Sequence, residues 1–154
     1  MISLEKLVDD GLLSQLDIES NRPKFGDKVE FSTALKWKNS LLHLAYSNYK
    51  KNHLAKMESE IDAFVKKEHY WLDDYTLFMA IKAEQNNQSW SKWPKELQQH
   101  DEKALEQKRQ ENANIIDEHI FIQYVFFSQW DQLKKYANGL KIQILGGKNF
   151  EENC

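Results

Sequence analysis

Cysteine occurs once, as the last residue Cys154, so no intramolecular disulfide and no thiolate metal cluster can be built from this sequence. That usage fits a reducing compartment, and a cytoplasmic location is expected. Proline occurs twice and glycine five times in 154 residues, too seldom for a chain made of many tight turns. Basic charge is not in excess: 21 Lys and Arg are scattered among 24 Asp and Glu, for a net charge of -3. A chain so balanced offers no electrostatic footprint for a nucleic-acid backbone or an anionic membrane. No run approaches the ~20 apolar residues of a membrane helix, and the start, Met1 to Lys6 followed by Asp9 and Asp10, is not that of a signal peptide. What is abundant is bulky apolar material. Five Trp, six Tyr and eight Phe stand in a chain that is 41% hydrophobic, enough to bury a sizeable core in one domain-sized unit.

The apolar spacing predicts a mainly α fold. Leu4, Leu7, Val8, Leu12, Leu13 and Leu16 recur every three or four residues and read as two short helical turns broken at Gly11. A loop from Glu19 to Lys28, with Pro23 and Gly26, follows. Ser32 is placed to cap a helix to Lys50, with Leu35, Leu42 and Tyr46 inward and Trp37, Leu41 and Leu44 widening that face. Leu54, Met57, Ile61, Phe64 and Val65 predict a surface helix, with Lys56, Glu58, Glu60, Lys66 and Lys67 on its other side. Tyr70 to Lys82 is apolar nearly all round, the pattern of a buried helix, and Asn86 and Asn87 end it.

Trp90 to Pro94 reads as a turn, with Pro94 opening a short helix through Leu97. From Asp101 to Asn138 neither Pro nor Gly intervenes, which predicts one long helix or two collinear ones, polar to Asn114 and enclosed from Ile115 to Trp130. Gly139 stops it, and the alternation from Leu140 to Leu145 predicts one strand, closed by Gly146 and Gly147. A lone strand has nothing to pair with. Residues 1–154 are therefore expected to form a single incomplete domain: helical over 1–138, a strand at 140–145, and an unrelated tail at 146–154.

Chemistry is sparse in the pattern. Asp73 and Asp74 are adjacent, and neighbours on a helix point about 100° apart, too far to hold one substrate atom between them. Asp117-Glu118-His119 offers ligand-type groups without a second ligand three or four residues away. His43, His53, His69 and His100 stand alone, with no nucleophile motif beside them. Neither a catalytic nor a metal-ligating residue is assigned, and no cofactor is expected. Trp90 and Trp93 are the candidates for substrate contact, because sugar C–H faces stack on indole rings, although tryptophans at helical spacing more often belong to a core.

The block Tyr70-Trp71-Leu72-Asp73-Asp74-Tyr75-Thr76-Leu77-Phe78-Met79-Ala80-Ile81-Lys82 resembles the W-W-L-x-D-Y-A-L-F-M-A-L-K block of the 4-alpha-glucanotransferases, also called amylomaltases or disproportionating enzymes. The resemblance extends in order through Ile2 to Leu13, Trp90-x-x-Trp93-Pro94, Phe126 to Trp130 and Tyr136-Ala137-Asn138, as far as about Leu145. It implies a fragment of a (β/α)8 TIM barrel with helical insertions, and a cofactor-free, retaining transfer of α-1,4-glucan segments between malto-oligosaccharides. The Asp nucleophile and Glu acid–base of that mechanism lie, in the family, beyond the end of this sequence, and its first barrel strand precedes the start. No catalytic residue carries over, so the chain alone is expected to be inactive; and because Ile115 to Trp130 and Ile142 to Leu145 would need a barrel to cover them, it is expected to be marginally stable or prone to self-association through exposed apolar surface. Where the family reads G-D-x-P-I after the strand, this sequence has Gly146-Gly147-Lys148-Asn149-Phe150, with Gly147 at the Asp position. A tail with no scattered matches is what an interrupted reading frame near Leu145 would leave. The rival expectation is a non-catalytic helical interaction module that docks on a partner.

Overall fold

The computed structural model describes residues 2–20, 22–24 and 29–144, and these form seven α-helices and one 3-10 turn with no strand among them. In order they are α1 (Leu4–Asp9), α2 (Gln15–Ser20), α3 (Phe31–Asn52), α4 (Ala55–Glu84), the 3-10 turn (Trp90–Lys92), α5 (Lys95–Gln98), α6 (Glu102–Glu111) and α7 (Ala113–Gly139). The mainly helical reading stands. Ser3 caps α1, its hydroxyl accepting from the Lys6 backbone N–H, and Gly11 takes the left-handed φ of +71° that turns the chain towards α2.

Helix α3 does not start as expected. Its N-cap is Glu30, whose carboxylate accepts from the hydroxyls of Ser32 (3.0 Å) and Thr33 (2.8 Å), so Ser32 donates outward instead of capping. Leu35, expected on the inner face, is 61% exposed, while Leu41, Leu42 and Ala45 are buried. His53, left-handed at φ 43°, ends the helix.

The two helices expected between Leu54 and Lys82 are one. Nothing from Ala55 to Glu84 breaks the backbone ladder, so a change in which side chains are apolar leaves the 30-residue helix intact, about 45 Å long at ~1.5 Å per residue. Its second half is not buried all round: Leu72, Thr76, Leu77, Ala80 and Ile81 are buried, but Tyr70 and Phe78 stand out with Asp73 and Asp74. Asn86 and Asn87 do end it, both with positive φ.

The stretch expected as one long helix or two collinear ones is two helices, divided at Asn112. That side chain is buried and donates to Glu84 Oε2 (3.2 Å) and to the Lys108 carbonyl (3.1 Å), which ends α6 and ties the break to α4. Asp101 caps α6 through the Ala104 N–H (2.9 Å). Gly139 is the last helical residue, and Lys141, at φ 61°, makes the turn.

The strand expected at Leu140–Leu145 is not formed over residues 140–144, which are turn and irregular chain. Alternating side chains make a segment strand-competent, but a strand exists only through a ladder with a neighbour, and the described residues supply none. Leu145, the tail 146–154 and Gly26 of the expected loop lie outside the described residues.

Two cores result. The larger joins Leu4, Leu7, Leu12, Leu13 and Ile18 to Leu41, Leu42 and Ala45 of α3, Ile61 of α4, and Phe121 and Val125 of α7. The smaller gathers Leu77, Ile81, Trp93 and Leu97, with Ala104, Leu105 and Ile116 against them. Helices α4 and α7 pack along each other and α4 links the two cores.

Candidate functional site

Along the seam of α4 and α7 runs a groove lined by both polar and apolar side chains. Steps of three and four bring Glu60, Phe64 and Lys67 of α4 opposite Tyr124, Ser128 and Gln132 of α7, and one stretch of about 400 Å³ lies between them. Glu60, Tyr124, Ser128 and Gln132 also line an adjoining stretch of about 370 Å³, closed by Asp10, Leu54 and Met57. The Tyr124 hydroxyl donates to Glu60 Oε2, and burial, reinforced by that carboxylate, holds the phenol protonated far above its ordinary range. Asp10 is pushed up by partial burial first and by its neighbour Asp9 second, with Glu60 adding to the shift and Lys6 and Lys56 opposing it. Neutral hydroxyls, amides and carboxylates at this spacing suit a hydrogen-bonding ligand. Glu60 already accepts from Tyr124, so it is not a free base.

The floor of the groove is aromatic. Phe64 and Phe127 line it, 5.6 Å between ring centres; outside the lining, Trp71 packs on Phe127 at 5.7 Å and on Tyr75 at 5.8 Å. A smaller cavity of about 200 Å³ lies where α3 joins them, lined by Tyr46, Tyr49, Asp62 and Asp117. Burial, then Asp117 and Glu118, pushes the Tyr46 hydroxyl up to about 12.

The residues that drew attention in sequence lie apart from this groove. Trp93 is buried, 7% exposed, in the smaller core; its Nε1 donates to the Gln88 carbonyl (3.2 Å) and its ring packs 5.3 Å from Phe78. Trp90, three residues earlier, is 56% exposed. Asp73 and Asp74 are exposed on α4. His119 is half-buried, and desolvation lowers its pKa against the pull of Glu118. His43 Nδ1 meets Glu118 at 3.0 Å, His53 pairs with Glu58 at 3.7 Å, and His69 Nδ1 lies 3.0 Å from the Lys66 carbonyl. Among the described residues no three His, Cys, Asp or Glu side chains converge as metal ligands, and no helix is long and apolar enough to cross a membrane.

Besides Asn112, the buried polar residues Gln129 and Glu68 escaped the sequence reading. Gln129 of α7 holds Ser3 at both backbone groups, accepting from its N–H (2.7 Å) and donating to its carbonyl (3.1 Å). Glu68 of α4 accepts from the Trp71 indole N–H at 2.6 Å and lies 3.7 Å from Lys67 Nζ. Their only sequence signal is position: each sits on the row of its helix that is otherwise apolar.

Comparison with known proteins agrees with this geometry over almost the whole chain. A family model described as 4-alpha-glucanotransferase matches residues 1–148. A 4-alpha-glucanotransferase of Clostridium butyricum is 35% identical over 148 residues, covering 94% of this chain and 29% of the relative. One from Aquifex aeolicus is 32% identical over 146 residues, covering 95% and 28%. Among solved structures, the amylomaltase of Streptococcus agalactiae in complex with acarbose superimposes with a TM-score of 0.81 at 30% identity, over 93% of this chain and 29% of that one. The chain thus spans less than a third of the length of these relatives.

Proposed function

The chain belongs to the 4-alpha-glucanotransferase family, and from that membership we propose that it supplies a mainly helical portion of a cytoplasmic, (β/α)8-type enzyme that moves α-1,4-glucan segments between malto-oligosaccharides. The observation that carries this reading is the match of 93–95% of this chain to 28–29% of each relative, with the helical arrangement retained at a TM-score of 0.81. A retaining transfer needs two carboxyl groups about 5–5.5 Å apart on either side of the scissile bond. In this reading neither comes from residues 1–154, which form a single incomplete domain and bind or position without performing the transfer. No cofactor enters the reaction.

Of the two indoles, Trp90 is the better platform for a glucose ring, because a stacked sugar needs an uncovered aromatic face and Trp93 has spent its own on Phe78. The groove of Glu60, Tyr124 and Ser128 is the second place where sugar hydroxyls find donors and acceptors. The test is incubation of the pure 154-residue chain with maltotriose. No glucose and no longer maltodextrins are expected; their appearance in a contaminant-free preparation would overturn the proposed division of labour. The interaction-module reading gains weight from the apolar side chains that α3 and α7 expose, among them Phe31, Leu35, Leu133 and Tyr136.

A further inference from the structure

Helices α1 and α2 have six residues each, well short of the ~12–15 that an isolated helix needs in water. What holds them is contact with the long helices. Ile2, Leu4, Leu7, Leu12, Leu13 and Ile18 are all buried in the larger core. Four side chains of α3 and α7 fasten the segment besides. Lys38 donates to the Ile2 carbonyl, and Gln129 accepts from the Ser3 N–H (2.7 Å) and donates to the Ser3 carbonyl (3.1 Å). Gln132 accepts from Lys6 Nζ, and Asn48 donates to the Leu12 carbonyl (2.8 Å). The segment is thus tied near both of its ends, at Ile2–Ser3 and at Leu12.

The long helices hold one another without it. Tyr46 and Tyr49 of α3 close on Phe121 of α7, with ring centres 5.6 and 5.2 Å away. Phe64 and Trp71 of α4 pack on Phe127 of α7 at 5.6 and 5.7 Å. None of these rings belongs to residues 2–20. A segment with no stability of its own, bound to a frame that has its own contacts, gives up its ties together, because once one end lifts the short helices have too little left to stay folded. The segment also closes one end of the α4/α7 groove. Asp10 lines the stretch of about 370 Å³ there, and Gln129 and Gln132, which hold Ser3 and Lys6, line it too.

We propose that residues 2–20 form a strap that opens as one unit while α3, α4 and α7 stay packed, and that its opening uncovers the end of the α4/α7 groove that Asp10 closes. Opening and closing then govern access to the groove. Only that consequence rests on the sugar reading given above; the opening itself does not.

The experiment is native-state hydrogen exchange of the full 154-residue chain at low denaturant concentrations. The N–H groups of Ser3, Asp10, Leu12 and Leu13 all donate hydrogen bonds, the first to Gln129 and the others within the segment. They are expected to share one protection factor, about tenfold or more below the most protected amides of α4 and α7. Its dependence on denaturant should be shallower, since the strap exposes less surface than global unfolding does. Each end is then weakened and read at the other. Asn48→Ala should lower the protection of Ser3, and Gln129→Ala that of Leu12 and Leu13, each by about tenfold, as when a partner is taken from a buried polar group. Trp90→Ala, outside the strap and its ties, should change neither. Protection and denaturant dependence at the four amides equal to those of α4 and α7 would overturn the strap, because the segment would then leave only with the whole fold. Substitutions felt only at the end where they are made would overturn it as well, because the segment would then fray residue by residue. No sugar enters these readouts, so the family reading stands or falls separately, on the maltotriose test.

Discussion

Phe121 and Leu133 sit on one row of α7, twelve residues apart, and the molecule treats them differently. Phe121 is 1% exposed beneath α3 and packs on two tyrosines, whereas half of Leu133 faces solvent. Both positions carry side chains of the kind found in cores, and both lie in a continuous helix. The difference comes from what stands opposite: Tyr46 and Tyr49 of α3 close on Phe121, and the N-terminal segment meets α7 at Gln129 and Gln132, while Ala137, one step beyond Leu133, is buried again. The comparison teaches that a helix face is written by its own sequence, but its burial is decided by elements elsewhere.

The largest effect should come from the buried half. Phe121→Ala removes the aromatic side chain on which α3 closes, and should cost about 3–5 kcal/mol in denaturant unfolding. Leu133→Ala, by contrast, should change the stability of the isolated chain by no more than about 0.5 kcal/mol. Near-equal losses at the two sites would abolish the distinction between the halves.

A smaller effect is expected where the cover stops. Gln129→Ala leaves the Ser3 N–H and carbonyl without their partner and should cost about 1–3 kcal/mol. Ser3→Ala removes the α1 cap and should cost about 1 kcal/mol. Thermal melts of both variants measure this. If neither matters, the N-terminal segment does not clamp α7, and the boundary between covered and bare halves has another cause.

The smallest effect is electrostatic. Asp10, at the C-terminal end of α1, has its folded-state pKa raised, so its protonated form is favoured by folding. Its contribution is therefore fully present below the ordinary carboxylate range and is lost as pH rises through the raised value. Asp10→Asn should make the chain slightly more stable than the unsubstituted protein near pH 7, with the gain disappearing below about pH 3.8, the unperturbed value. Glu5 and Asp17, whose pKa values are lowered by hydrogen bonds, act with the opposite sign. The difference between variant and parent isolates Asp10 from them.

Much of the helical architecture was legible because its signals are local. Asn86 and Asn87, which end α4, and the three-and-four spacing of Leu4 to Leu13 each lie within a few residues of what they determine, whereas the one cap expected, Ser32, is not one, and the caps at Ser3 and Asp101 went unread. The errors have local causes as well. The division expected between Val65 and Tyr70 came from a change in side-chain pattern, which a backbone without Gly or Pro ignores. The strand at Leu140 came from alternation, a property that pairing must complete. Nothing local marked the groove, because Glu60 and Tyr124 meet across 64 residues and Ser3 and Gln129 across 126. Trp90 and Trp93 could be named from residue type, but only the fold separates the exposed ring from the buried one.

Hydroxyl-radical footprinting of α7 in the intact chain tests most directly whether burial along this helix is decided by what stands opposite it. Tyr136 and Leu133 are expected to be oxidised readily while Phe121 is not. Protection of Tyr136 and Leu133 equal to that of Phe121 would contradict it.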